Sequence, residues 1–325
     1  MVEPLPKPRK AVLHIIPNLT VGGAQSYLKT LVDGIVQCKH QIFILEDQVG
    51  TEWEGYAIDL ICISKLMRLC KNPNLFKIPF HFHWYPPFQF NIPECRKAKS
   101  IVTIQENENC RIRNANIYVT STSAGLRYVP PRSQGVVIRP AIDPQRWRSH
   151  PVKRKKGRLI RHSTLYPHKL SDSIMQDICS YDFKRYQWRI IGVGDWNYTF
   201  YLRLRYLLSA PITLGSSDNI CEELNRAWLY VYHASDKGEH YGLCFQEALA
   251  CGIPIVTNDH TGAVEQIQQG ETGFICSDYA EMKMRVDALY CNDLLYDELL
   301  NNLRNYHVKE QWIDFLAAYE HLYSS

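Results

Sequence analysis

The chain has 325 residues, a net charge of +4, and 46% hydrophobic against 22% charged residues. That length fits two domains of roughly 150 residues each, large enough to fold without disulfide or metal staples. The charge is too small to argue for a nucleic-acid partner, and no stretch approaches the ~18 unbroken apolar residues of a membrane span.

The first element is AVLHIIPN, residues 11–18, a β-branched run that predicts a buried strand. A turn containing Gly22 and Gly23 leads into a helix with Tyr27, Leu28, Leu31, Val32 and Ile35 at helical spacing. Strand, glycine turn and helix open a parallel α/β unit. Strand-like runs follow at 40–47, 57–64, 76–84, 100–106 and 115–122, and the half closes on GVVIRPAID, 135–143. The basic run Lys153, Arg154, Lys155, Lys156 and Arg158 marks a boundary, giving expected domains of 1–150 and 151–325. Such a run reads first as a solvated linker and second as a candidate for peripheral membrane contact.

A second series opens with GRLIRHS and continues with strands at 186–195, 212–215 and 229–235. EALACGIPIVTND, 247–259, reads as helix, Gly-Pro break and strand, and 271–276 as a last short strand. The tail from Glu281 is helical, with Trp312, Phe315, Leu316, Tyr319 and Leu322 on one face. Two Rossmann-like halves place their ligands beyond the strand C-termini. Eleven cysteines without a CxxC pair or a zinc-like Cys/His spacing imply free thiols in a reducing compartment, hence an expected cytoplasmic location. The segment MVEPLPKPRK has no signal-like apolar run after it.

The most informative stretch runs from Gly238 to Ile275, GEHYGLCFQEALACGIPIVTNDHTGAVEQIQQGETGFI. Glu239 and Glu247 flank Gly242, with a helix expected around Glu247. A loop entering a helix offers free backbone N–H groups and a positive dipole end, which suits a diphosphate. A glycine there lets the phosphate approach, and ionised carboxylates accept strong hydrogen bonds from sugar hydroxyls.

EHYGL, Glu247, ALACG, GIPIV, TGAVE and GETGF together resemble the C-terminal signature of retaining glycosyltransferase family 4. PNLTVGGAQ resembles the family's first Gly-Gly loop, FHFHW its H-x-H strand end, IRPAID the stretch before its linker, and IRHSTLYPHKLSD an R-H-S-x-x-x-P-x-K segment of a subgroup. ITLGSSDNICEEL resembles the loop under the nucleotide base. The resemblance implies an α/β GT-B fold: two Rossmann-like domains facing across a cleft, with a C-terminal helix crossing back to the first. The N-terminal domain would be a reduced acceptor platform and the C-terminal domain the nucleotide-sugar site.

The same resemblance implies residue roles. Glu239 would contact the transferred sugar and Glu247 the ribose; Gly22, Gly23, Ser217, His240, Tyr241, Gly242 and Leu243 would line the donor site. Arg161 and Lys169 would neutralise the leaving diphosphate, the work a metal ion does elsewhere, so no metal and no cofactor are expected. The chain departs from the family at Gln25, where Glu is usual, and at Gln105, near which many relatives carry histidine. His81, His83 and Gln105 are thus the acceptor-side candidates. The implied activity is retaining, metal-independent transfer of a hexose-type sugar from a nucleotide diphosphate to a glycan, lipid-linked or protein acceptor. The alternative is a non-catalytic nucleotide-sugar-binding scaffold on the same fold.

Overall fold

Short Val- and Ile-rich runs broken by Pro or Gly are suited to strands buried on both faces of a parallel sheet. The computed structural model describes residues 10–20, 23–83, 90–91, 99–104, 110–207, 210–235, 238–304, 306 and 308–324. It divides into two units, Met1–Pro140 with Ile313–Ser325, and Ala141–Trp312. The division falls at residue 140, before the basic run, and the last residues return to the first unit.

In the first unit the elements are β1 Lys10–Ile16, α1 Gly23–Gly34, β2 Cys38–Ile44, β3 Ile58–Leu60, α2 Ile63–Cys70, β4 Phe80–Phe82, β5 Phe90–Asn91, β6 Ser100–Ile104, β7 Ile112–Arg113, β8 Ile117–Thr120 and β9 Gln134–Val137. Seven of the strands form a parallel sheet in the order β3-β2-β1-β4-β6-β8-β9, and β5 pairs separately with β7. Two expected strands are shorter than their apolar runs. In 57–64 only three residues pair, and ISKLMRLC becomes α2, burying Leu66 and Cys70. In 76–84 a turn precedes Pro79, which has no N–H to donate, and pairing starts at Phe80.

Period-two alternation sorts the strand side chains. Leu13, Ile15, Phe80 and Phe82 enter one apolar cluster, while His14, His81 and His83 project from the opposite face, His14 in register with His81. These imidazoles are buried, and His14 and His83 are hydrogen-bonded in series with His40. His40 Nε2 lies 2.9 Å from the Ile35 carbonyl, His40 Nδ1 2.8 Å from His14 Nε2, and His14 Nδ1 3.2 Å from His83 Nε2. A carbonyl only accepts, so neutral His40 carries its proton on Nε2, and each following ring donates from Nε2 and accepts at Nδ1. The series ends at His83 Nδ1, a lone pair without a partner among the described residues. His81 is engaged at both nitrogens, 2.6 Å from Thr103 Oγ1 and 2.7 Å from the Tyr323 hydroxyl. The ring nitrogens of His14, His81 and His83 lie within 4.8 Å of one another, a spacing that would admit a metal ion.

In the second unit the elements are β10 Arg158–His162, α3 Asp172–Cys179, β11 Gln187–Ile191, α4 Trp196–Leu202, β12 Ile212–Gly215, α5 Ile220–Arg226, β13 Leu229–Tyr232, α6 Leu243–Ala250, β14 Ile255–Thr257, β15 Gly273–Ile275, α7 Tyr279–Cys291 and α8 Asp293–Leu303. The six strands are parallel in the order β12-β11-β10-β13-β14-β15. Strands β10, β11 and β13 serve two cores: Leu159, Trp188, Leu229 and Val231 on one face, Ile160, Ile191, Tyr230 and Tyr232 on the other. The order reverses between β10 and β13, the switch point at which open α/β sheets take ligands. No described helix is long and apolar enough to cross a membrane.

The last helix, α9 Val308–Ser324, carries the expected apolar face into the first unit, where Phe315, Tyr319, Leu322 and Tyr323 are buried. Phe315 and Tyr319 meet the Tyr27 ring edge-on, and Tyr319 stacks on His81 at 5.5 Å. Four such side chains contribute about 1.5–3 kcal/mol each by burial, as much as a whole domain's net stability. A chain ending at Trp312 is therefore expected to lose the thermal transition of the first unit in calorimetry.

Candidate donor site

The site begins at the C-terminal end of β10. Its last residues, Arg161 and His162, are both buried. His162 Nε2 lies 2.6 Å from Glu247 Oε2, which joins the end of β10 to the middle of α6. Arg161 Nη2 donates to the carbonyl oxygens of Lys169 at 2.5 Å and His233 at 3.1 Å, tying together the two loops that leave β10 and β13. The guanidinium rests over the Tyr232 ring at 4.6 Å, and its Nε and Nη1 are uncommitted among the described residues. A buried cation with donors to spare, at a strand end, is a ready partner for an anion.

Lys169 extends from the loop after β10 to Glu239, Nζ to Oε1 2.5 Å. The same carboxylate oxygen accepts a hydrogen bond from the Tyr232 hydroxyl. The backbone of Glu239 is fixed as well, its N–H donating to Asp259 Oδ2 at 2.9 Å and its carbonyl accepting from Thr261 Oγ1 at 2.6 Å. Asp259 in turn accepts from the Thr261 N–H at 2.7 Å, and burial pushes its carboxyl above the ordinary range.

Gly242 is the N-cap of α6 at φ 77°, with no side-chain cap. A Cβ there would come within 2.7 Å of the Phe245 ring, so glycine is required both by backbone and by space. The Gln266 side chain donates to the carbonyls of Tyr241 at 2.5 Å and Gly242 at 3.2 Å, holding the turn from below. The N–H groups that open α6 are thereby presented at a positive dipole end. Gly242→Ala is expected to cost about 1–2 kcal/mol from the left-handed backbone alone. A lowered Tm together with weakened nucleotide affinity would show that the turn serves both stability and binding.

The structure thus brings Arg161, Lys169, Glu239, Gly242 and Glu247 to one end of the β10–β13 pair, with half-buried His240, buried Tyr241 and half-buried Leu243 in the connecting turn. Ser217 lies beyond edge strand β12, with β11 between β12 and β10, and its hydroxyl accepts the Asn219 N–H at 3.2 Å. Gly23 is the first residue of α1, and a Cβ there would meet nothing within 4 Å. Gly22 and Gln105 lie outside the described residues. Sequence reasoning did not single out His162, Tyr232, Asp259 or Thr261 as functional. The RHS triplet was a usable signal for His162; the other three are set by sheet register.

Four residues of the basic run make hydrogen bonds within the second unit. Arg154 donates to the carbonyls of Cys251 and Gly252 at 2.8 and 2.7 Å, Lys155 to Gln187, Lys156 to Asp293, and Arg158 to Glu223.

Residues 155–309 match the model of glycosyl transferases group 1. A 63-residue stretch is 41% identical to the N-acetyl-alpha-D-glucosaminyl L-malate synthase of Bacillus anthracis, covering 19% of this chain and 16% of that protein's length. The crystal structure of Anabaena HepE in complex with UDP and glucose superposes with a TM-score of 0.78 at 12% identity, over 97% of this chain and 99% of that one. Sucrose-phosphate synthase from Thermosynechococcus elongatus gives 0.73 at 13% identity, over 97% and 98%. Residues 155–309 are thus similar to glycosyl transferases group 1, in a chain that shares the GT-B fold of these glycosyltransferase structures.

Proposed function

We propose that the chain is a metal-independent, retaining glycosyltransferase that moves a hexose-type sugar from a nucleotide diphosphate to a glycan or similar acceptor. The observation that carries this reading is the juxtaposition, at the switch point of the second unit, of two cations and two carboxylates around a glycine-opened helix. A sugar diphosphate has one chemistry for each part. Lys169, the uncommitted Arg161 donors and the first N–H groups of α6 take up the charge that grows on the diphosphate as its bond to the sugar breaks. Glu239 accepts from sugar hydroxyls, its carboxylate aimed by Tyr232 and its backbone by Asp259 and Thr261. Glu247 accepts from the ribose, oriented by His162.

In a retaining reaction without a protein nucleophile, the acceptor oxygen bonds to the anomeric carbon on the face from which the phosphate leaves. The departing phosphate oxygen takes the acceptor's proton. The acceptor-side candidates His81 and His83 are both buried in the first unit, and His83 Nδ1 is uncommitted among the described residues. UDP-sugars are the first donors to try, because HepE is seen with UDP and glucose. The test is release of nucleotide diphosphate from a panel of UDP-, GDP-, ADP- and dTDP-sugars with EDTA present. Proton NMR of the product then reads the anomeric configuration. Turnover in EDTA with the donor's configuration kept is expected; tight donor binding without turnover would identify a sugar-nucleotide scaffold instead.

A further inference from the structure

Cys221 and Cys251 lie on different elements, yet their Sγ atoms are 3.8 Å apart. Cys221 sits in the first turn of α5, and Cys251 is the residue that ends α6. Cys251 is fully buried, whereas Cys221 is 9% exposed at the edge of the same apolar core. The backbone around both is held by other groups. Asn225, one turn after Cys221, donates to the Arg148 carbonyl at 3.0 Å and accepts from the His150 N–H at 2.7 Å. Arg154 holds the carbonyls of Cys251 and Gly252. The sulfurs are therefore the movable ends of two fixed frames, and rotation about the Cα–Cβ bonds is the motion available to close 3.8 Å to a bond of about 2.0 Å.

The pair is also chemically unequal. Hydrogen bonding from the Cys251 thiol, with Asn225 Nδ2 a further 3.5 Å from the sulfur, brings Cys221 down to about 6. The same contact and burial push Cys251 up. Cys221 is the nucleophile of the two.

We propose that Cys221 and Cys251 are a thiol pair that a peroxide converts to an intramolecular disulfide, fixing α5 to α6. The Cys221 thiolate attacks one peroxide oxygen, the O–O bond breaks, hydroxide leaves, and Cys221 becomes a sulfenic acid. The Cys251 sulfur then attacks the Cys221 sulfur. The S–O bond breaks and the oxygen leaves as water with the Cys251 proton. Two thiols lose two electrons and two protons, and the peroxide becomes two waters. The bridge ends the helix that bears Glu247, but its formation does not depend on what the donor site binds.

The experiment treats the full chain with hydrogen peroxide, alkylates the remaining thiols and maps the peptides by mass spectrometry beside a thermal melt. The expected result is a linked Cys221–Cys251 peptide that a dithiol reductant reverses, with a Tm several degrees higher. Both should be lost in Cys221→Ser and, separately, in Cys251→Ala. The exposed thiols Cys62 and Cys291 report that oxidant was sufficient. Recovery of Cys221 as a sulfinic acid or an alkylated monomer while Cys62 and Cys291 are oxidised would overturn the proposal. So would linkage of either cysteine to another partner, or a linked peptide that leaves the Tm unchanged.

Discussion

Lys169→Met is expected to lower the rate of sugar transfer by about 10²–10³-fold, the magnitude found when one preorganised donor to a developing negative charge is removed. Lys169 Nζ lies 2.5 Å from Glu239 Oε1, so the lysine has two conceivable roles: it can stabilise the leaving diphosphate, or it can merely neutralise a carboxylate beside it. A double-mutant cycle with Glu239→Gln separates them. If Lys169 acts on the diphosphate, its loss stays severe in the Glu239→Gln background. If its role is to balance Glu239, the double variant recovers most of what Lys169→Met alone loses. Lys169→Arg keeps the charge with a different reach and is expected to restore only part of the rate. Steady-state kinetics on the four proteins of the cycle decides the matter.

The second large effect is on stability. His14 and His81 are held well below the ordinary histidine range, chiefly by burial and then by the neighbouring imidazoles. Burial brings His83 down to about 3. The groups facing them are His40, Thr103 and the phenols of Tyr27, Tyr319 and Tyr323, whose own acidity burial suppresses. The unfolded chain binds protons at these three positions below pH ~6.5, while the folded chain does not. Folding stability is then fully present above that pH and lost as pH falls, by up to ~1.4 kcal/mol per pH unit for each histidine. Urea denaturation between pH 7.5 and 5.5 stays above the range in which most carboxylates titrate. The first unit is expected to weaken steeply in this window, and His83→Gln should remove about one proton's worth of the slope. A flat profile would mean that the histidines are reached by water and not neutral in the fold.

What could be read from sequence was what lies close together along it. Glu239, Gly242 and Glu247 fall within one turn and one helix, so their spacing already placed two carboxylates about a glycine-opened helix. Lys169 and Arg161 were legible through the RHS and P-x-K pattern of the β10 end and the loop after it. The partners of Arg161 across the sheet were not, because Tyr232 and His233 arrive by the pairing of β13 with β10. Arg161 shows the gap clearly: its charge type was readable, but not that Nη2 would brace two loops while Nε and Nη1 remained uncommitted. His81 and His83 were read as strand-end groups; their surroundings depend on His14, His40 and Tyr323, the last of which reaches His81 from 242 positions away. The strands at 57–64 and 76–84 were read too long because the apolar composition of each runs on into a helix start or a proline turn.

The central claim is that the second unit holds a nucleotide-diphosphate donor site that works without a metal ion. Isothermal titration of the full chain with UDP, GDP, ADP and dTDP, in EDTA, tests it most directly. The account predicts saturable one-to-one binding of one of these nucleotides, weakened at least about tenfold by Lys169→Met, a loss of ~1.4 kcal/mol in binding free energy. Absence of binding by all four, or binding that EDTA abolishes, would contradict it.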